Sequence, residues 1–174
     1  MIGSTGSGKS TLINLIPRYY DVTKGSVKVD GVDVRDMTQK ELRDKLGYVP
    51  QKGVLFSGTI DSNIRYGKPE ITDAQVKEAA EVAQATEFID TKPEKYESPV
   101  SQGGTNVSGG QKQRLSIARA IAKDPEIFIF DDSFSALDFK TDSQLRKALK
   151  EYTKDATTVI VAQRISTILG ADQI

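Results

Sequence analysis

The stretch that decides the fold is Gly3-Ser4-Thr5-Gly6-Ser7-Gly8-Lys9-Ser10, which matches the phosphate-loop pattern G-x-x-x-x-G-K-[ST]. Its glycines let successive backbone N–H groups point inward as a nest for an anion. In such a loop the lysine reaches the outer phosphates of a nucleotide and the final hydroxyl ligates Mg²⁺. A flexible turn before an ordinary helix is the plainer interpretation, but apolar residues at helical spacing begin where the loop needs a helix. The predicted nucleotide contacts are Gly3, Ser4, Thr5, Gly6, Ser7, Gly8, Lys9, Ser10 and Thr11.

A strand that ends in two aspartates supplies the second half of such a site. Ile127-Phe128-Ile129-Phe130 is apolar throughout, as a buried strand is, and Asp131 and Asp132 follow it. A carboxylate at the C-terminal end of that strand can hold Mg²⁺ directly or through water. Taken alone, this pattern fits two interpretations equally well: a metal-binding carboxylate at the end of a strand, or a core strand followed by an aspartate in a turn. The upstream loop makes Asp131 a predicted metal ligand.

A second pair of glycines, in Val107-Ser108-Gly109-Gly110-Gln111, opens another predicted helix. Ser108 and Gln111 fit a capping box, and the positive end of the helix can face a phosphate. A plain capping box with a Gly-rich lead-in is the simpler interpretation. The geometry of one chain need not bring both phosphate-recognising surfaces to one nucleotide, so the combination points to an ATP site made by two subunits.

Between these motifs, strands alternate with helical connections at both ends of the chain, and the middle is mostly helical. Helical spacing marks residues 9–16, 76–85 and 144–152, strand composition marks 46–49, 126–130 and 157–162, and a hairpin pattern marks 26–34. Capping-box patterns begin at Thr38, Thr72 and Ser108. We therefore expect an α/β fold with a RecA-like phosphate-loop core from residues 1–60 and 124–174 and a helical insertion from residues 61–123.

The composition excludes several classes of function. The 174 residues include 24 basic and 24 acidic side chains, so the bulk charge does not suggest a nucleic-acid binder. Without cysteine the chain has no disulfide framework and no thiolate metal site, and without histidine it lacks the usual proton shuttle at neutral pH. The longest apolar runs are of strand length, far short of the roughly 20 residues that a membrane helix needs.

Both ends of the sequence look cut. A phosphate loop normally follows a buried strand, and only Met1 and Ile2 precede this one, which do not form a signal peptide. At the other end, we interpret residues 171–174 as the start of a new apolar segment that the sequence does not complete. We expect a fragment, truncated at both ends, of a larger intracellular domain or protein.

Taken together, the motifs resemble the nucleotide-binding domain of an ATP-binding cassette (ABC) transporter. The signature of that family, usually LSGGQ, corresponds to residues 107–111, and Gln51 lies where the family has its Q-loop glutamine. Ser135-Ala136-Leu137-Asp138 matches the D-loop, which in the family crosses the dimer interface. The motifs are in family order over essentially the whole chain. Residues 19–25 and 54–60 resemble the exporter branch, in which membrane and nucleotide domains share one chain.

This resemblance implies ATP and Mg²⁺ as ligands, with Mg²⁺ held through Ser10, Gln51 and Asp131. It implies a membrane domain in the same chain, a location at the cytoplasmic face of the membrane, and no nucleic-acid partner. Two nucleotide-binding domains bind head to tail in the family, so one chain's signature faces the other chain's phosphate loop. The residues implied to contact the partner's ATP are Ser108, Gly109, Gly110 and Gln111.

Three departures from the family pattern bear on activity. Asp132 stands where the family has the glutamate that polarises the attacking water, and Gln163, in Val161-Ala162-Gln163-Arg164, stands where it has histidine. A misplacement of about 1 Å can cost about a hundredfold in rate, and glutamine carries neither a titratable proton nor a charge. Ser101-Gln102 replaces the Gly-Glu of many exporters. We therefore take Asp132, Gln163 and Gln51 as the catalytic positions of a degenerate, slow site, as in one subunit of a heterodimeric exporter.

Three other functions stay open as alternatives. A non-transport ABC ATPase of DNA repair or translation would carry coiled coils or tandem cassettes elsewhere, and the exporter-like residues 56–60 argue against it. A phosphate-loop kinase or small-molecule transferase should lack the signature and the D-loop. A purely regulatory ATP-binding module differs from the transport subunit only in its rate of turnover.

Overall fold

Strands and helices alternate along the chain in the computed structural model, which describes residues 1–4, 6–163 and 167–174. The helices are α1 (Lys9–Ile13), α2 (Gln39–Asp44), α3 (Ile60–Ile64), α4 (Asp73–Val82), α5 (Thr86–Asp90), α6 (Gly109–Ala122) and α7 (Phe139–Tyr152). The strands are β1 (Lys28–Val29), β2 (Val32–Asp33), β3 (Leu46–Val49), β4 (Gly58–Thr59), β5 (Pro99–Val100), β6 (Ile127–Asp131) and β7 (Thr157–Val161).

A three-stranded parallel sheet in the order β3-β6-β7 organises the core. Val49 pairs with Phe130, and Asp131 pairs with Val161. Ile2 forms a parallel bridge to Ala162, so β7 lies between β6 and the first residues of the chain. The carboxyl ends of parallel strands meet at one edge of a sheet, which is where α/β proteins bind their ligands. The loops that follow Ile2, β3, β6 and β7 therefore all start at that edge.

Successive residues of β6 point to opposite faces of the sheet, and an apolar cluster covers each face. Phe128 and Phe130 pack into the larger cluster with residues of α3, α4, α6 and α7. Ile129 packs into the smaller one, with Ile13 of α1 and Leu42 of α2. The sheet is thus covered on both faces, which explains why residues 127–130 of β6 are all apolar.

Capping boxes begin four of the helices. Those predicted at Thr38, Thr72 and Ser108 are confirmed, each with reciprocal hydrogen bonds between the capping residue and the residue three positions later. A fourth, at Thr59, begins α3 and has Ser62 in place of the usual Glu or Gln. The small antiparallel pairs β1–β2 and β4–β5 lie outside the parallel sheet. The hairpin around Asp30-Gly31 was predicted, and the β4–β5 pair was not.

Several predicted element bounds need correction. Helix α1 ends at Ile13 and continues as turns towards Pro17, where helix was predicted to residue 16. Helix α7 begins at Phe139, five residues before the apolar spacing becomes regular, because Asp138 caps it by accepting a hydrogen bond from the backbone N–H of Thr141. The first residues of β7, Thr157 and Thr158, are exposed, so this strand is less buried than its composition suggested.

The α/β prediction for the fold class is confirmed. Over the described residues, the helices are all too short or too polar to cross a membrane.

Candidate nucleotide-binding site

The phosphate loop, residues 3–10, joins the Ile2 bridge to α1. Gly6 has φ 79° and Gly8, the N-cap of α1, has φ 84°, a left-handed backbone that favours glycine. A Cβ atom on Gly3 would lie 2.9 Å from Ser7 Oγ, so the loop is also tightly wound at its start. Thr5, predicted as part of the loop, lies outside the described residues. Glycine therefore occupies the two positions with a left-handed backbone, Gly6 and Gly8, and the crowded position Gly3.

The side chain of Lys9 lies over this loop. Its ammonium donates hydrogen bonds to the carbonyl oxygens of Gly3 and Ser4, both at 2.7 Å, and to Ser7 Oγ at 3.2 Å. Three oxygens thus hold one cation at the mouth of a loop whose N–H groups suit an anion. This arrangement keeps the ammonium where the outer phosphates of a nucleotide would need it.

Ser10 and Asp131, far apart in sequence, meet at the edge of the sheet. Ser10 Oγ donates to Asp131 Oδ1 at 2.9 Å, and Asp131 is buried at the end of β6. A hydroxyl and a carboxylate beside a phosphate loop are the hard oxygen donors that Mg²⁺ prefers. The residues present therefore fit the metal. Tyr48 lies nearby, and its burial, followed by the charge of Asp131, raises the pKa of its phenol.

Asp132 is held by two glutamines. Its Oδ2 accepts a hydrogen bond from Gln51 Nε2 at 3.2 Å and another from Gln163 Nε2 at 2.8 Å. Its backbone has φ 46°, and its N–H donates to Val161 O at 2.9 Å. The three predicted catalytic positions therefore meet around one carboxylate. Arg164, next to Gln163, lies outside the described residues.

The signature, residues 107–111, forms the start of α6. Gln111 N donates to Ser108 Oγ at 3.2 Å, and Ser108 N donates to Gln111 Oε1 at 3.1 Å. A Cβ on Gly110 would lie 3.5 Å from Ala136 O in the D-loop, so these two motifs are neighbours. Ser108 and Gly109 are exposed. The signature is thus a self-contained helix start that can accept an anion from outside the chain.

The D-loop, residues 135–138, connects Asp132 to α7. Ser135 Oγ donates to Asp132 O at 3.0 Å, which ties the start of the loop to the end of β6. At its other end, the hydrogen bond from the backbone of Thr141 lowers the pKa of the Asp138 carboxyl. Asp138 therefore has a capping role that the family motif alone did not indicate.

Gln113 is a contact that the sequence reasoning missed. It is almost fully buried, at 1% exposure, and bonds to the loop that carries Gln51. Its Oε1 accepts from Gly53 N at 2.9 Å and its Nε2 donates to Pro50 O at 3.1 Å. The only signal in the sequence was a polar residue on the apolar face of a predicted helix, within Lys112-Gln113-Arg114.

Arg119 is a second missed residue. Its guanidinium donates to Asn63 O at 2.7 Å and to Val54 O at 2.9 Å, and it lies 5.2 Å from the centre of the Phe56 ring. Burial lowers the pKa of Arg119 to about 10. Phe56 stacks on Tyr66 at 4.1 Å between ring centres, and both rings remain partly exposed. Arg119 thus fixes an exposed aromatic pair to α6.

Ser101 and Tyr19, both in segments compared with exporters, have local structural roles. Ser101 bonds through its backbone and hydroxyl to Asn106 Oδ1, at 3.0 and 2.9 Å, whereas Gln102 is exposed. Tyr19 packs edge-on against Tyr48, with 5.7 Å between ring centres, and Tyr20 is exposed.

A phosphate loop on a parallel sheet, with a buried carboxylate at the adjacent strand end, defines the class of phosphate-loop nucleotide-binding domains. Within that class, the family described as ABC transporter matches residues 1–135. The chain belongs to the ABC transporter family.

Two relatives and one solved structure that the chain resembles carry the names of exporters. The chain is 49% identical over 173 residues to a Staphylococcus aureus (strain NCTC 8325 / PS 47) protein provisionally named a multidrug export ATP-binding/permease protein, covering 99% of this chain and 30% of that protein. The counterpart in S. aureus strain COL matches equally, at 49% identity. A solved structure of a bacterial Atm1-family ABC exporter with ATP bound superposes with a TM-score of 0.93 at 40% identity, covering 98% of this chain and 30% of that one. The chain therefore spans about a third of the length of these relatives.

Proposed function

We propose that this chain is the ATP-binding part of one subunit of a heterodimeric ABC exporter. It would bind MgATP and pair head to tail with a different nucleotide-binding domain. The pair would power export through a membrane domain in the same full-length chain, at the cytoplasmic face of the membrane. Its family membership and its exporter relatives support the transport assignment, and neither favours a non-transport ATPase.

The residues around the phosphate loop would each have a separate task. Lys9 would bind the outer phosphates, and Ser10 and Asp131 would hold Mg²⁺ with Gln51. Bound Mg²⁺ would supply neutralisation of the phosphate charge. The hydrogen bond to Asp132 uses Gln51 Nε2, a donor, and the amide oxygen Oε1 would be the atom that holds Mg²⁺.

The observation that carries the degenerate-site proposal is the pair of glutamines on Asp132. This carboxylate is one methylene shorter than glutamate, and the same oxygen accepts from both Gln51 and Gln163. Because two amides already bond to Asp132 Oδ2, the carboxylate would be restrained from turning toward the water molecule that attacks ATP. Gln163 cannot take up a proton or carry charge at the switch position. These features favour retention of ATP over its cleavage.

The signature would then serve the partner's site. Ser108, Gly109, Gly110 and Gln111 keep a complete capping box with an exposed start, which suits an anion presented by another subunit. By this proposal, turnover occurs mainly where the partner's own phosphate loop faces this signature. Residues 61–123 would form the helical subdomain that carries it.

The exposed aromatic pair Phe56 and Tyr66 would face the membrane domain. It follows the Gln51 loop and is anchored through Arg119 to α6, the helix that begins with the signature. Apolar rings that stay exposed on a fixed support suit a protein contact. A connection of this kind would let movement of the helical subdomain reach the membrane helices.

Restoring the two family residues tests the degenerate site. In the full-length exporter with its partner subunit, Asp132→Glu combined with Gln163→His should raise the rate at this chain's own site by up to about a hundredfold, the cost of a misplacement near 1 Å. Because the partner's site already turns over, total steady-state ATPase activity should then rise by up to about twofold. The matched control is Asp155→Glu with Gln144→His, the same substitutions at exposed positions away from the site. No increase over this control would show that these positions do not limit turnover.

A further inference from the structure

We propose that Gln113 is a positioning residue: it holds Gln51 in place and couples this chain's nucleotide site to the signature on the same helix. The inference rests on the proposed role of Gln51 as a contact to Mg²⁺. By this inference, Gln113 on α6 would contact neither this chain's nucleotide nor the partner's. It would instead fix the backbone on both sides of Gln51, the proposed Mg²⁺ ligand.

The amide of Gln113 brackets Gln51. Its Nε2 donates to Pro50 O, immediately before Gln51, and its Oε1 accepts from Gly53 N, two residues after it. At 1% exposure the amide is shielded from water that could replace these bonds. A buried polar group that loses its partner is destabilising because no water replaces that partner, so both bonds favour the observed loop conformation.

Close packing reinforces this attachment. A Cβ atom on Gly53 would lie 2.8 Å from Lys112 O and 2.8 Å from Ser116 Oγ, both on α6. The loop backbone therefore rests directly on the helix, at a distance that only glycine permits. Such contact means that the loop must follow α6 when the helix shifts.

The opposite side of the loop is attached to the sheet. Gln51 Nε2 donates to Asp132 Oδ2, and Ser133 Oγ donates to Val49 O at 2.8 Å. Gln51 thus lies between two supports, α6 and the end of β6. Its position relative to Asp131 depends on how these two supports are placed.

The signature lies on the same helix as Gln113, so the position of Gln51 could also depend on the partner's nucleotide site, which the signature would complete. Ser108 and Gln111 form the first turn of α6, and Gln113 lies two residues further along the same helix. A displacement of that first turn by the partner's nucleotide would be carried by the rigid helix to Gln113 and from there to Gln51. The occupancy of the partner's site would therefore alter Mg²⁺ binding at this chain's site.

The test is a double-mutant cycle in the full-length exporter with its partner subunit. The two subunits are separated after photolabelling with 8-azido-ATP, and the Mg²⁺ concentration for half-maximal labelling of this chain is measured. Gln113→Met, similar in volume but unable to make either bond, should raise that concentration about tenfold, the equivalent of about 1.4 kcal/mol. Gln51→Ala should raise it by as much or more, and the double variant should not exceed Gln51→Ala alone.

Asn63→Leu is the matched control. Asn63 is also a buried amide at 1% exposure, and it bonds to the backbone of Phe56 in the same two-armed manner, away from Gln51. Its variant should leave the Mg²⁺ midpoint within about twofold of the parent. Gly53→Ala, which pushes the loop from α6 without changing Gln113, should reproduce the Gln113→Met shift and covers the case in which that variant does not fold.

The outcomes separate the two proposals. If Gln51→Ala leaves the Mg²⁺ midpoint unchanged, the proposed metal role of Gln51 is wrong, and the coupling argument fails with it. If Gln51→Ala shifts the midpoint but neither Gln113→Met nor Gly53→Ala does, only the positioning role is wrong. The positioning role is also wrong if the change in Mg²⁺ midpoint of the double variant equals the sum of the changes in Gln113→Met and Gln51→Ala. Such a sum would show that the two residues act independently.

Discussion

The site around Asp132 and the signature at the start of α6 are built in opposite ways. The first joins residues from four separate segments, with Ser10 bonding to Asp131 and Gln51 bonding to Asp132 across 121 and 81 positions of sequence. The second is local, since Ser108 and Gln111 bond to each other across three. The assembled site carries two of the three departures from the family pattern, Asp132 and Gln163, and the local one keeps the family's Ser-Gly-Gly-Gln. We infer that this chain keeps its contribution to the partner's site intact while its own site has changed.

Lys9→Ala is expected to have the largest effect on nucleotide binding. It would distinguish this chain's own site from the signature, because Lys9 belongs only to the former. Two charge-assisted hydrogen bonds to phosphate oxygens, at about 1.5 kcal/mol each, correspond to about a hundredfold in affinity. Photolabelling of this chain by 8-azido-ATP should fall accordingly, while labelling of the partner subunit persists. Lys24→Ala, at an exposed lysine, is the control. Equal loss of labelling on both subunits would contradict separate sites.

Ser108→Arg should have the next largest effect, on the opposite site. A bulky cation at the start of α6 would displace the partner's phosphate, so steady-state ATPase activity should fall by at least about tenfold, equivalent to about 1.4 kcal/mol of lost transition-state stabilisation. Labelling of this chain should stay within about twofold of the parent.

Thr72→Arg is the matched control for that variant. It removes the same kind of capping box from α4, at a cost of about 1 kcal/mol in stability, but lies outside the signature. If Thr72→Arg lowers turnover as much as Ser108→Arg does, the loss reflects helix stability, and the head-to-tail assignment loses its support.

Gln163→Leu should have the smallest effect and would test whether Asp132 is restrained as described. It removes one of the two hydrogen bonds to Asp132 Oδ2, worth about 1 kcal/mol at a partly exposed position. ATP affinity of this chain, measured by photolabelling, should fall by about fivefold or less, while total ATPase activity stays constant. A large fall in ATPase activity would mean that this chain's own site carries most of the turnover.

The sequence predicted the local parts of the molecule well. A capping box involves residues three positions apart, so Thr38, Thr72 and Ser108 could be recognised directly. The phosphate loop and the apolar β6 are likewise continuous stretches with a strong pattern. Helix bounds were less accurate where side-chain capping rather than apolar spacing sets the limit, as Asp138 does for α7.

The sequence could not predict which distant side chains would meet. The resemblance to the family named Gln51, Asp132 and Gln163 separately, but nothing in their spacing indicated that both amides would bond to one carboxylate oxygen. Gln113 and Arg119 were missed for the same reason, since their backbone partners lie some sixty residues earlier, in the Gln51 loop for Gln113 and in α3 for Arg119. Such contacts depend on packing of α6 against that loop and against α3.

The bridge between Ile2 and Ala162 has a consequence for the order in which the molecule can fold. Ala162 N donates to Met1 O at 3.1 Å, so the segment that leads into the phosphate loop is held by β7, some 160 residues later in the chain. Contacts between such distant residues form late and slowly. During synthesis, the residues of the phosphate loop therefore emerge long before β7 but wait for its support, and ATP can stabilise the chain only after β7 has joined the sheet.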